Sequence, residues 1–382
     1  MKKITQQVRH RIKVYTGFLI IGACMALWGI SIPYIKSRLN IDDLSLGSIL
    51  MFLSIGAIIA MIITDKIVSI LGCRRTFLLS VSTLIFMLLL CSYAANTFIL
   101  IIIVTIMGIG LGIADVTANI QAAYMEKIYE KKLMSSFHGM YSLGSFSGGI
   151  FASFLLMNNL HFHNMIIITT IFLFILLIAV FKGFAIRGSI DNTAPKSKIQ
   201  KPALMLLIIG IMCFTGYMID GAMLDWTAVL LTEFKTFPKE NSGIGFSIYF
   251  AALTIGRLSG DYFSARFSSK KIILASSIIT TAGIAIILIC NNNIMIYIGF
   301  IVTGLGAANI IPASISMVDA AKGSMSFNAA IAAVTTIGYS GTLLAPVIIG
   351  YISHISNLLF AFVFICIALI LTGIFSLILK EK

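Results

Sequence analysis

The chain has 382 residues, of which 59% are hydrophobic and only 11% charged, with a mean hydropathy of +1.04. Soluble globular domains carry about a quarter charged residues, so this composition excludes a soluble enzyme or binding module and indicates a protein embedded in lipid. A net charge of +13 would suggest a nucleic-acid partner for a soluble protein, but here it sorts by loop and reports topology.

A span needs about 20 apolar residues to cross the hydrocarbon. Twelve such stretches follow one another, near 14–35, 44–64, 76–95, 98–122, 133–157, 163–181, 203–232, 243–264, 272–290, 294–318, 325–351 and 355–379. The first has a basic run before it, like a signal peptide, yet it has full span length and continues into Pro33 with no small-residue cleavage site, so it reads as an uncleaved helix. Of the 27 Lys and Arg residues, 22 precede span 1 or fall in every second loop thereafter, among them Arg74 and Arg75 after span 2 and Lys270 and Lys271 after span 8. Only Lys36, Arg38, Lys235 and Lys239 lie on the opposite side, and Arg257 lies within span 8. The positive-inside rule then places both termini in the cytoplasm.

The longest polar segment, Lys182 to Pro202, divides the spans six and six. Expected domains are therefore an N-terminal six-helix bundle over 1–181, a cytoplasmic linker over 182–202 and a C-terminal bundle over 203–382. The halves align at an offset near 194–198 residues, as in transporters built from repeats. In spans 4 and 10, Gly110 to Asp115 matches Gly304 to Asn309, setting an acid against an amide. Spans 2 and 8 end on Asp65 before Arg74-Arg75 and on Asp261 before Lys270-Lys271, and Gly144 of span 5 matches Gly338 of span 11. Trp28 in span 1 and Trp226 in span 7, the two tryptophans, stand 198 residues apart.

The interior ionisable groups are few: Asp115, His138, Asp220 and Asp225, with Arg257 towards the cytoplasmic end of span 8. A charge at the bilayer centre costs at least ~2.5 kcal/mol on insertion scales, so such groups mark substrate or proton paths by default. Asp115 and His138 fall at comparable cytoplasmic-side depth and can act as a proton-coupling pair; a structural hydrogen bond from Asp115 to Asn119 is the other reading. Asn119, one turn beyond Asp115, and Asn309 suit a polar ligand. Asp220 lies near the middle of span 7 and is a substrate-binding candidate. Asp225 and Trp226, nearer the outer end, suit a gate. Trp28, Tyr141 and Tyr339 are candidate ligand-stacking or cavity-lining groups, although tryptophans near membrane faces also serve as interfacial anchors. Arg257 and Asp261, four residues apart, can pair along one helix face.

The chain resembles the major facilitator superfamily over essentially its whole length. The segments that carry the likeness are Trp28 to Pro33, Ser135 to Gly144, Asp220 to Trp226, Gly256 to Asp261 and Gly338 to Pro346. Within the superfamily it is similar to bacterial members related to the fucose–proton symporters. The resemblance implies an all-α membrane fold of two pseudo-symmetric six-helix bundles, with the first, fourth, seventh and tenth helices lining a central cavity. It also implies proton-coupled symport of a small polar organic solute by alternating access, without cofactor, metal or nucleic acid, in a monomer. The superfamily's cytoplasmic latch after span 2 is matched imperfectly, since Ser69 stands three before Gly72 and Asp65 comes a turn earlier. Its second-half counterpart, Arg257 with Asp261 and Arg266, is better formed, and both sets are assigned to gating. No Gly-Pro step follows Gly144, which disfavours drug–proton antiport, though an exporter remains the competing function. A nucleotide-binding loop and a nucleophile elbow are both absent from the sequence, which leaves no enzymatic reading.

Overall fold

The computed structural model describes residues 2–129, 134–181, 204–321, 323 and 327–379. The expected linker over 182–202 lies outside the described residues. Every regular element among the described residues is helical. In chain order these are α1 Lys2–Leu39, α2 Asp43–Leu71, α3 Cys73–Cys91, α4 Thr97–Tyr129, α5 Met134–Met157, α6 Phe162–Phe181, α7 Leu204–Asp225, α8 Thr227–Val229, α9 Ser242–Ser264, α10 Ser269–Ile289, α11 Asn293–Ala307, α12 Ile310–Ser316, α13 Val318–Ala321, α14 Phe327–Ile355 and α15 Leu358–Ile378. Among the described residues, eleven helical stretches are long and apolar enough to cross a membrane. The eighth expected span is α9, 23 residues long and less apolar because Arg257 and Asp261 lie within it.

Two of the expected spans are interrupted. The seventh breaks at Trp226 and resumes as α8 and a π-turn over Leu230–Phe234. The tenth breaks at Ala308 and Asn309, between α11 and α12. Pro312 explains this second break, because it has no N–H for the carbonyl of Ala308 and its ring crowds that carbonyl. The corresponding α4 has no proline and runs unbroken through Asp115. At the turn from α2 to α3, Gly72 takes φ 78, a conformation that favours glycine, and Arg74 and Arg75 then open α3.

The chain forms two compact units, one from Met1–Ile41, Ile49–Ala194 and Pro238–Ser247 and the other from Asp42–Ser48, Pro195–Phe237 and Ile248–Lys382. In the first, α1 packs on α5 and α3 on α4; in the second, α7 packs on α14 and α10 on α11. Glycines make these approaches possible. A Cβ on Gly144 would run into the carbonyl of Leu19, and one on Gly341 into the carbonyl of Phe214. In lipid, where apolar surfaces gain little by meeting, such backbone contact is a main source of helix association.

The same contacts correct the register of the repeat. Gly108 lies against Leu53 and Gly304 against Tyr249, an offset of 196 in both members of the pair. Gly110 lies against Ser80 and Leu84, and Gly306 against Thr280. Hence Gly304 is the counterpart of Gly108 rather than Gly110, and Asp115 corresponds to the level of Ile311 rather than Asn309. Gly341 meets backbone, as Gly144 does, while Gly338 meets the side chains of Cys213 and Tyr217.

Two of the four basic residues on the sparsely charged side of the sequence cap helices. The Arg38 guanidinium donates to the carbonyls of Cys91 at 3.2 Å and Ala94 at 3.0 Å, and also to that of Ser92, at the C-terminus of α3. In the second unit, Lys235 Nζ donates to the carbonyls of Leu288 at 2.8 Å and Cys290 at 2.9 Å, where α10 ends. Carbonyls at a helix C-terminus lack intrahelical donors and carry the negative end of the dipole. Each half thus places a cation at the same structural position, with burial pulling the Lys235 ammonium below its ordinary pKa.

Candidate functional site

The most closely connected polar group lies in the second unit, between α7 and α9. The hydroxyl of Tyr249 donates to Oδ1 of Asp220 at 2.7 Å, and Nη2 of Arg257 donates to Oδ2 of the same carboxylate at 2.9 Å. Tyr249 and Arg257 are eight residues apart, two turns along one face of α9, so a single helix presents both donors to one acid on α7. Charge-assisted hydrogen bonds of this kind contribute about 1.5–3 kcal/mol each. Tyr249 is fully buried, whereas the Arg257 and Asp220 side chains keep 24% and 22% of their exposure, so the pair remains reachable.

This arrangement gives Arg257 a partner that its spacing from Asp261 along α9 does not suggest. Among the described residues its carboxylate partner is Asp220, 37 residues away in sequence and on another helix. The Asp261 side chain lies outside the described residues, as does that of Asp65. Arg75 is exposed and Arg74 partly buried at the start of α3.

Around this carboxylate stand further groups. Tyr217, one turn before Asp220 on α7, stacks on Tyr339 of α14 with ring centroids 4.6 Å apart and 29° between planes. Tyr339 is well exposed, at 46%. Asn309, at the break before α12, donates Nδ2 to the carbonyl of Gly256 at 3.2 Å, one residue from Arg257. A Cβ on Gly260 would strike the Asn309 side chain, so that glycine admits the amide to the α9 surface. Asp225 is buried, at 8% exposure, and Trp226 wholly so, at the interruption of the seventh span. An interfacial anchoring role does not fit either tryptophan, because Trp28 is equally buried in α1. Neither indole N–H has an acceptor among the described residues.

The first unit holds the other sequence candidates. Asn119 Nδ2 donates to the backbone carbonyl of Asp115 at 2.9 Å, and its side chain also bonds the Asp115 carboxyl. Asp115 and Asn119 are both partly buried on α4. His138 on α5 meets the edge of Phe18 of α1, with centroids 5.7 Å apart, and the carbonyl of Ser142's partner turn, His138 O, accepts from Ser142 at 3.3 Å. Tyr141 lies on the same helix, with its backbone carbonyl against Gly22 of α1. His138 and Tyr141 therefore belong to the α1–α5 seam.

Sequence reasoning missed Tyr217 altogether and gave Tyr249 no partner. The spacing of Tyr217 and Asp220 by three residues, and of Tyr249 and Arg257 by eight, was the available signal. Among the described residues no cluster of His, Cys, Asp or Glu could hold a metal ion.

Comparison with known proteins agrees with this architecture. The model of the Major Facilitator Superfamily matches residues 14–236 and 206–382. An uncharacterised MFS-type transporter of Yersinia pestis is 35% identical over 371 residues, covering 96% of this chain and 94% of its own length. Membrane protein MosC of Rhizobium meliloti is 26% identical, with 91% of this chain and 84% of that protein covered. Among solved structures, a point variant of the nucleoside transporter NupG superposes with a TM-score of 0.78 at 13% identity, over 98% of this chain and all of the other. A bacterial homologue of the lysosomal transporter Spinster gives a TM-score of 0.71 at 12% identity, over 96% of this chain and 95% of the other. At such identities the two structures establish the fold alone. The family match over nearly the whole length and the 35% identical relative place this chain in the Major Facilitator Superfamily of membrane transporters.

Proposed function

We propose that this protein is a secondary active transporter that moves a small polar organic solute across the bacterial cytoplasmic membrane by alternating access, in symport with protons. The observation that carries this reading is the Asp220 carboxylate held at once by Tyr249 and Arg257 within the membrane-spanning part of the second unit. Ionisable groups at membrane depth are expensive and mark substrate or proton routes. Asp115 supplies a second acid in the first unit, with the amide of Asn119 as its described polar partner. Asp115, with His138, is assigned to proton coupling. Asp220, Asn119, Asn309, Trp28, Tyr141 and Tyr339 are assigned to the solute. Asp225, Trp226, Asp65, Arg74, Arg75, Arg257 and Asp261 are assigned to gating, with Arg257 also holding Asp220.

The test is accumulation of labelled solutes in proteoliposomes with an imposed proton gradient. Symport gives uptake driven by an inward gradient and abolished by a protonophore. Extrusion driven by that gradient would establish the competing reading, a proton-antiporting exporter.

A further inference from the structure

We infer that Arg257 is a receptor for the solute's carboxylate, occupied by Asp220 until that acid is protonated, so that the solute of this site is a small polar monocarboxylate whose binding takes up a proton on Asp220, beside the coupling role assigned to Asp115. The inference rests on the symport reading and names its substrate class.

Geometry supplies the first argument. Asp220 uses both oxygens, one on Tyr249 and one on Arg257, whereas Arg257 commits a single terminal nitrogen to it. A guanidinium offers a planar fork of donors that matches the two oxygens of a carboxylate. What Asp220 presents to Arg257 is therefore the same chemical group that an incoming carboxylate would present. Both side chains keep nearly a quarter of their exposure, so the exchange needs no unfolding.

Charge supplies the second argument. The pair is neutral as it stands. An added monoanion would leave a net negative charge in a low-dielectric setting, which is strongly disfavoured. If a proton from the outer medium first forms an O–H bond on Asp220, the site is left with the single positive charge of Arg257, and one monoanion restores neutrality. On release inside, the O–H bond breaks, the proton leaves to water and Asp220 returns to Arg257. An uncharged solute offers no such reason to separate the pair.

Among the described residues, few charged groups surround the carboxylate. From α9, Tyr249 and Arg257 face Asp220. From α14, Tyr339 stands behind Tyr217, which is on α7 itself with Cys213 a turn earlier; Asp225 lies five residues beyond Asp220. α15 contributes no acid or base, and Asp319 of α13 has its side chain outside the described residues. Among the described residues Arg257 is thus the one cation against the carboxylate, and the exposed Tyr339 ring offers an apolar face for the body of a solute.

The experiment is thermal-shift binding on purified full-length protein with matched acid and amide pairs: lactate and lactamide, gluconate and gluconamide, nicotinate and nicotinamide. The expected result is that at least one acid raises the melting temperature by about 2–4 °C while its amide does not, more at about pH 5.5 than at about pH 7.5. Arg257→Gln should weaken that binding by about thirtyfold or more. Asp220→Asn imitates the protonated acid and should bind the same carboxylate at the higher pH as tightly as the parent does at the lower. This gain keeps the test decisive even if Arg257→Gln does not fold. Amides that bind as well as acids, an Asp220→Asn variant whose binding keeps the parent's pH dependence, or a panel from which no acid binds would each overturn the inference. Proton-driven accumulation of an amide would overturn it and leave symport standing. An acid that binds as described but moves without protons would overturn the symport reading and leave the receptor standing.

Discussion

Nη2 of Arg257 lies 2.9 Å from Oδ2 of Asp220, joining α9 to α7 by an ion pair that a residue count along α9 does not reveal. The pair is half-sheltered and its carboxylate is further held by Tyr249, so its members should behave as one unit. Either Asp220→Asn or Arg257→Gln should lower stability by about 1–3 kcal/mol, because each leaves a partner under-satisfied. The double variant should lose clearly less than the sum of the two. Thermal unfolding of the four proteins measures this, and additive losses would contradict a direct pair.

Asp115 is assigned to proton coupling, and Asp115→Asn keeps its shape while removing its charge. Proton-driven accumulation should fall by about tenfold or more, whereas counterflow of labelled against unlabelled solute should persist. Unchanged gradient-driven accumulation would remove Asp115 from the coupling route.

Arg38 closes the C-terminus of α3 through three carbonyls. Arg38→Ala should cost about 1–2 kcal/mol, from lost charge-assisted bonds and the uncovered end of the helix dipole. Lys235→Met should act alike on α10 in the second unit. Hydrogen exchange confined to the last turns of α3 and α10 distinguishes this from a general loss of packing.

Asp42 caps the N-terminus of α2. Its Oδ1 accepts from the amide of Ser45 at 2.9 Å, and Oδ2 lies 3.3 Å from Nδ1 of His354. Hydrogen bonds from the Ser45 side chain and amide, and then the nearby His354, hold the Asp42 carboxyl below its ordinary range. A folded pKa below the unfolded one gives stability that is present above the ordinary carboxylate range and lost as pH falls through the lowered value. Asp42→Ala should therefore cost about 1 kcal/mol at neutral pH and nothing once the carboxyl is protonated in both states.

Gly144 leaves no room for a side chain against Leu19 of α1. Gly144→Ala should destabilise the first unit by about 1–3 kcal/mol by forcing the helices apart. Gly323, which has φ 56 and nothing near its Cβ position, serves as the comparison in which steric crowding plays no part.

Much of this fold was legible because hydropathy reports burial in lipid directly. Each expected span corresponds to a helical stretch, and the acids inside them stood out against an apolar background. The register of the repeat was not legible, for a specific reason. Gly108, Gly110 and Gly112 recur every second residue, so sliding the halves by two residues aligns the glycines just as well, and only the contacts with Leu53 and Tyr249 decide. The contact of Arg257 with Asp220 was hidden for another reason: helical spacing along α9 points to Asp261, and only packing of α7 on α9 brings Asp220 near. The break at Asn309 was written in Pro312, whose missing N–H frees the carbonyl of Ala308.

Proton-coupled symport is tested most directly by recording external pH in a lightly buffered suspension of de-energised vesicles as a solute that stabilises the protein is added. Symport carries protons inward with the solute, so the medium should become alkaline, and the signal should vanish with a protonophore and in Asp115→Asn. Acidification of the medium would indicate antiport, and solute entry without any change in pH would indicate uncoupled transport; either result contradicts the function proposed for this chain.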